Sequence, residues 1–172
     1  MKSISFQTDI LPLKNELFRV ALRITQNPAE AEDVVQETFI KVWNRRADWP
    51  GIESIEAFCL TICRNLSLDK LRHMDSHVES LSDSDSPFTA HHSPLPTPEE
   101  QTVQRNRVEL VRRLINALPE KQRTCVQLRD IEGKSYRDIA TIMNISEEQV
   151  KVNIFRARQT IRERFSRLES DE

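Results

Sequence analysis

The chain has 172 residues, 38% of them hydrophobic and 30% charged, with two glycines and a formal net charge of −2. That length allows one domain or two small ones, and the scarcity of glycine argues against hairpin-rich β architecture and for an all-α fold. There is no N-terminal apolar run of signal-peptide type and no 18-residue apolar stretch, and the three cysteines give no disulfide framework, so a cytoplasmic location is expected.

Three helices are predicted in the first part. One runs near Leu11 to Thr25, with Leu13, Leu17, Val20, Ala21 and Ile24 on a single face. The next starts where Asn27 can cap and Pro28 takes the first helical position. Its stripe is Ala31, Val35, Phe39 and Val42, and it is expected to reach about Trp49, before Pro50-Gly51 breaks it. A third runs from about Ile55 to Arg72, with Phe58, Ile62 and Leu66 inward. The stretch from His73 to Pro98, rich in Ser, Asp, His and Pro, predicts a flexible acidic linker over 73–97. Domains of 1–72 and 98–172 then flank it.

The second part predicts four helices. Thr97, Pro98 and Glu100 form a capping pattern for a helix to about Ala117. Leu118-Pro119 stops it and begins another, which runs to about Ile131 and is closed by Gly133. Ser135 and Asp138 cap a third, whose apolar face is Tyr136, Ile139, Ala140 and Met143. Asn144 ends it, because Asn tolerates the left-handed conformation of a tight turn. Ser146 and Gln149 form a capping box that starts the last helix, with Val150, Ile154, Ala157, Ile161, Phe165 and Leu168 as its buried stripe.

Two short helices joined by a turn, the second one basic, predict a helix-turn-helix over Ser135–Arg158. Gln149, Val152 and Arg156 point away from the buried stripe, with Lys151 and Asn153 on its flanks. Gln and Asn suit adenine, Arg suits guanine, and an outward Val suits a thymine methyl. An ordinary solvated face would have the same composition. Charge distribution supports the DNA reading: residues 1–72 balance ten bases against ten acids, residues 73–100 carry six acids and no Lys or Arg, and residues 101–172 carry fifteen bases against eleven acids.

Three segments, AEDVVQETFIKVW (Ala31–Trp43), AFCLTICRNLSLDKLR (Ala57–Arg72) and LPEKQRTCVQLRDIEGKSYRDIATIMNISEEQVKVNIFRAR (Leu118–Arg158), resemble bacterial RNA polymerase sigma factors of the small extracytoplasmic-function (ECF) class. The resemblance covers both folded parts in order. It implies a subunit that binds core RNA polymerase, through the beta-prime clamp helices and the beta subunit, and recognises promoter DNA. The first domain would open the −10 element and the second would bind the −35 element as duplex.

Carried over by motif, Asp33, Gln36 and Glu37 match the polymerase-binding positions. As i, i+3, i+4 neighbours they also read as an acidic helix face favoured by the dipole. The −10 set is Arg45, Arg46 and Trp49 at the loop with Arg64, Asn65, Lys70 and Arg72 on the next helix. An unwound strand needs cations for phosphates and a ring or pocket for an unstacked base. Trp49 reads either as that ring or as a core anchor. The −35 set is Ser146, Glu148, Gln149, Lys151, Val152, Asn153, Arg156 and Arg158. Of these, Glu148, Val152 and Asn153 depart from the pattern common in the family, which leaves the base preference open. The resemblance also admits an anti-sigma protein as a partner and suits the acidic linker to a basic channel of the polymerase, although a plain tether would look the same.

Cys59 and Cys63 lie at i, i+4, a spacing that can hold a metal, but two ligands make no site and small apolar core residues are expected instead. His91-His92 falls in the linker, where alone Ser, His and Asp are abundant together and where nothing would hold a triad rigid. The expectation is therefore no catalytic constellation, no metal, no cofactor and no small-molecule substrate. The alternative is a stand-alone helix-turn-helix regulator, which leaves AEDVVQETF unexplained. A helical adaptor that binds only protein is a further rival.

Overall fold

Each helix in the computed structural model, which describes residues 3–80 and 99–171, begins and ends on a local chemical signal. After a π-helical turn at Phe6–Ile10 and a 3-10 turn at Leu11–Leu13, α1 spans Lys14–Thr25. Gln26 closes it in the left-handed conformation (φ 55°), an unusual choice for a residue with a long side chain. Asn27 accepts from the Glu30 amide (3.2 Å) and Pro28 leads α2, Pro28–Asn44. The expected continuation to Trp49 does not occur. A 3-10 segment, Arg46–Gly51, follows Arg45, because Pro50 has no amide to donate and disfavours helical geometry in the residue before it. The Trp49 indole donates to the Val42 carbonyl (3.1 Å), in the last turn of α2, where carbonyls lack intrahelical partners.

The third helix, α3, spans Ile55–Ser80 and so enters the expected linker. Nothing between Ile52 and Ser86 is Pro or Gly, so no residue there breaks it before the acidic run. The Thr97-Pro98 cap and the His91-His92 pair lie outside the described residues. Next come α4 (Glu99–Asn116) and α5 (Glu120–Val126), then a π turn at Gln127–Ile131. Gly133 (φ 71°) makes the bend into α6, Tyr136–Met143. Ser135 accepts from the Asp138 amide (3.1 Å), Asn144 adopts φ 55°, and Ser146 and Gln149 form the complete capping box of α7, Glu147–Ser170.

The described residues are helical and contain no strand. α1, α2 and α3 pack on one another through Leu17, Val20, Ile24, Val34, Val42 and Leu60. The buried face of α3 is Cys59, Leu60, Cys63 and Leu66, whereas Phe58 and Ile62 are only partly covered. The cysteines thus take core positions that the larger side chains were expected to fill. In the second part Ile139, Ile142, Val150 and Ile154 are buried between α6 and α7. The α7 stripe stops being buried after Ala157: Ile161 is half-buried and Leu168 is exposed. α5 packs on α1, and α6 packs on α3, so the two parts meet.

Candidate polymerase and DNA surfaces

On α2, Asp33, Gln36 and Glu37 occupy one outward face, joined a turn later by Ile40, which is 59% exposed. Lys70 of α3 reaches across to this face, with its Nζ 2.5 Å from Asp33, 3.6 Å from Glu30 and 3.8 Å from Glu37. The hydrogen bond and charge of Lys70 hold the Asp33 carboxyl below its usual range, and the Asp33 bond raises Lys70 in turn. Lys70 was expected among the −10 cations. The structure puts it instead with the acidic face, because α2 and α3 are packed neighbours.

Three other expected −10 residues also have structural partners. Trp49 is only 7% exposed, with its indole N–H bonded to Val42 and its ring 6.0 Å edge-on from Trp43. It is a core anchor in this structure. The exposed indole is Trp43, at 47%, with the Arg46 guanidinium 4.8 Å above it. Arg64 is also 7% exposed, donating to Glu120 (3.2 Å) and to the Met143 carbonyl (3.5 Å). Arg72 is exposed beside Asp69.

Arg45 and Asn65 do converge. Together with Lys41, Asn44, Ile62, Leu66 and Asp69 they line a cleft of about 340 Å³ between α2 and α3. Arg45 pairs with Asp48 at 3.2 Å and lies 4.9 Å from the Phe58 ring. The cleft combines two cations, two amides, one carboxylate and an apolar floor. Lys41 and Asn44 were not singled out from sequence. Their placement one helical turn apart on α2, opposite Asn65, comes from tertiary packing.

Along α7, Glu148, Gln149, Lys151, Val152 and Arg156 are exposed, and Asn153 is half-buried. The Ser146 hydroxyl and the Gln149 side-chain oxygen are taken up by the capping box, and the Asn153 amide donates to the Gln149 carbonyl (2.8 Å). Lys151 lies 5.6 Å from the Tyr136 ring. Glu148 sits in the first turn, where the helix dipole favours a carboxylate. Arg158 departs from expectation: its guanidinium is bonded to Asp130, with Nε at 3.0 Å, and that bond raises its pKa. It fastens α7 to the π turn. Phe155, 68% exposed one turn from Val152, lies off the buried apolar stripe, so helical periodicity alone does not mark it.

Among the described residues no group of three His, Cys, Asp or Glu side chains is placed to hold a metal ion. No helix among them is long and apolar enough to cross a membrane.

The Sigma-70 region 2 family matches residues 10–76 and Sigma-70 region 4 matches residues 109–161. The RNA polymerase sigma-H factor of Pseudomonas aeruginosa is 32% identical, over 91% of this chain and 84% of that one. The ECF RNA polymerase sigma-E factor of Haemophilus influenzae is 30% identical, over 79% and 75%. The chain spans 37% of the probable RNA polymerase sigma factor RfaY of Xanthomonas campestris, at 30% identity. Among solved structures, the sigma factor RpoE of Bartonella quintana, crystallised with the anti-sigma factor NepR, superposes with a TM-score of 0.65 at 25% identity, covering 92% of this chain and 94% of that one. The chain belongs to the ECF class of the sigma-70 family of RNA polymerase sigma factors, DNA-binding factors that direct transcription initiation.

Proposed function

We propose that three surfaces divide the work of a sigma factor in this chain. The outward face of α2, with Asp33, Gln36, Glu37 and the exposed Ile40, binds core RNA polymerase at the beta-prime clamp helices. An apolar side chain beside acids suits a groove with basic walls. The cleft lined by Arg45 and Asn65, with Lys41 and Asn44, holds an unstacked base of the −10 element, while Arg46, Arg72 and the exposed Trp43 flank the strand. Gln149, Val152, Asn153 and Arg156, with Phe155, face the −35 duplex, and Lys151 meets its backbone. Val152 and Phe155 offer an apolar pair to thymine methyl groups.

The observation that carries this reading is the separation of roles on one chain. A cleft with amides and cations lies in the first part and a capped recognition helix in the second. A stand-alone regulator has no use for the first. The chain is proposed to act as a non-catalytic subunit in the cytoplasm, where the polymerase acts, with domains of about 1–72 and 98–172. An anti-sigma protein is proposed as a regulator, by analogy with the NepR-bound relative.

Footprinting tests the assignment. Holoenzyme made with this chain should protect two segments about 25 bp apart, ~85 Å at the rise of duplex DNA. Thymines should become permanganate-reactive in the downstream segment only. Protection of one duplex segment without melting would favour the regulator.

A further inference from the structure

Three arginines gather around Asn116, where the carboxyl ends of α1 and α4 meet α5. Arg23, in the last turn of α1, is half-buried. Its Nε donates to the Gln127 side-chain oxygen (2.8 Å) and its Nη1 to that of Asn116 (2.6 Å). Arg123 of α5 is 8% exposed. It donates to the carbonyls of Ile24 (3.2 Å), Asn116 (3.2 Å) and Leu118 (3.3 Å), and its buried Nε has no partner among the described residues. Arg112 is exposed and lies one turn before Asn116 on the same face of α4.

The charges around Asn116 do not balance. All of the bonds from Arg23 and Arg123 end on neutral oxygens, yet an arginine is almost never so covered unless paired. The carboxyl ends of α1 and α4 carry about −0.5 charge each, which offsets roughly one of the three cations. Two acids close by are committed elsewhere. Glu120 attracts Arg123 but bonds Arg64 (3.2 Å), and Glu132, held by Gln127, bonds Arg19 (2.7 Å). Burial pushes the Arg23 guanidinium below its usual pKa, and the charges of Arg112 and Arg123 push it further. A guanidinium does not give up its proton in a protein, so the repulsion stays in the fold.

We infer that this junction of α1, α4 and α5 is a binding site for a small phosphoryl anion, gripped by Arg23 and Arg112 with the charge of Arg123 behind them. A guanidinium fork matches the paired oxygens of a phosphoryl group, and a dianion cancels the remaining positive charge. A nucleic-acid strand would instead need cations in a row along a groove, whereas these converge on one residue. The bound anion joins α1 to α4. The site does not depend on the proposed promoter contacts, which lie on α2, α3 and α7.

Thermal unfolding of the full chain in sodium pyrophosphate, against sodium chloride of equal ionic strength, tests the site. At millimolar pyrophosphate the midpoint should rise by roughly 3 °C or more over the chloride control. No rise beyond that control overturns the site. Arg112→Gln, at an exposed position, should lose most of the rise. Arg112→Glu supplies the missing negative charge from within the chain. Its midpoint without anion should exceed that of the wild type, and pyrophosphate should add nothing. A purely structural arginine would behave in the opposite way, with a lower midpoint and the pyrophosphate rise retained, and that result also overturns the site. Adenosine diphosphate in parallel separates the sources: a rise equal to that of pyrophosphate assigns the phosphoryl group alone, and a larger one assigns a nucleotide. A nonspecific duplex that binds wild type more tightly than Arg112→Gln, with no response to pyrophosphate, would give the arginines to a nucleic-acid backbone and overturn the proposal.

Discussion

Arg156 and Arg158 are two residues apart on α7 and serve different ends. Arg158 is bonded to Asp130, while no ion pair holds Arg156 among the described residues. Arg156→Ala should weaken −35 binding by about 1–3 kcal/mol and relax preference at one base pair. A uniform loss on all duplexes, measured by fluorescence anisotropy, would make it a phosphate contact. Arg158→Ala removes a partly exposed pair, so after solvent screening it should cost at most about 1 kcal/mol of stability and leave the base preference unchanged. The cysteines give a second test. Burial pushes the thiols of Cys59 and Cys63 up to about 12 and that of Cys125 to about 11. The folded chain should therefore resist iodoacetamide at pH 8 and react only after unfolding. The sign follows by linkage: a raised folded pKa confers stability below the unfolded thiol value, and that stability is lost as pH climbs from about 9 toward the folded values. Denaturation midpoints should fall across that alkaline window. Rapid labelling of the native chain would contradict the burial.

At the scale of elements, the capping box of α7 is the feature most open to measurement. Ser146→Ala frees the Gln149 amide and should cost about 1 kcal/mol, read as a lower urea midpoint with an unchanged slope. On α2, Gln36→Ala with Glu37→Ala should weaken core polymerase binding while circular dichroism stays the same. Unchanged affinity would remove that face from the interface. Such caps were legible in sequence because each is a local contract among three or four residues, as at Asn27, Ser135 and Ser146. The helix ends that depend on neighbours were not. Trp49 looked like the tail of a helix or a base platform, and it became a core residue only because its indole reaches Val42. Lys70 and Arg158 looked free because their partners, Asp33 and Asp130, are distant in the chain. The cleft was half legible: Arg45 and Asn65 were named from sequence, but Lys41 and Asn44 join them only through helix packing.

For the whole molecule, a promoter-specificity role requires that the two parts act on one promoter through one polymerase. Each part alone has a weaker explanation, a plain helical bundle or a helix-turn-helix, and only the pair accounts for matches over residues 10–76 and 109–161 together. Reconstituted run-off transcription tests this most directly. Core polymerase with this chain should initiate at a selected promoter that core alone ignores, and should cease to do so when Gln36 and Glu37 are replaced together. Tight DNA binding by the chain without polymerase, with no initiation on any selected promoter, would contradict the account.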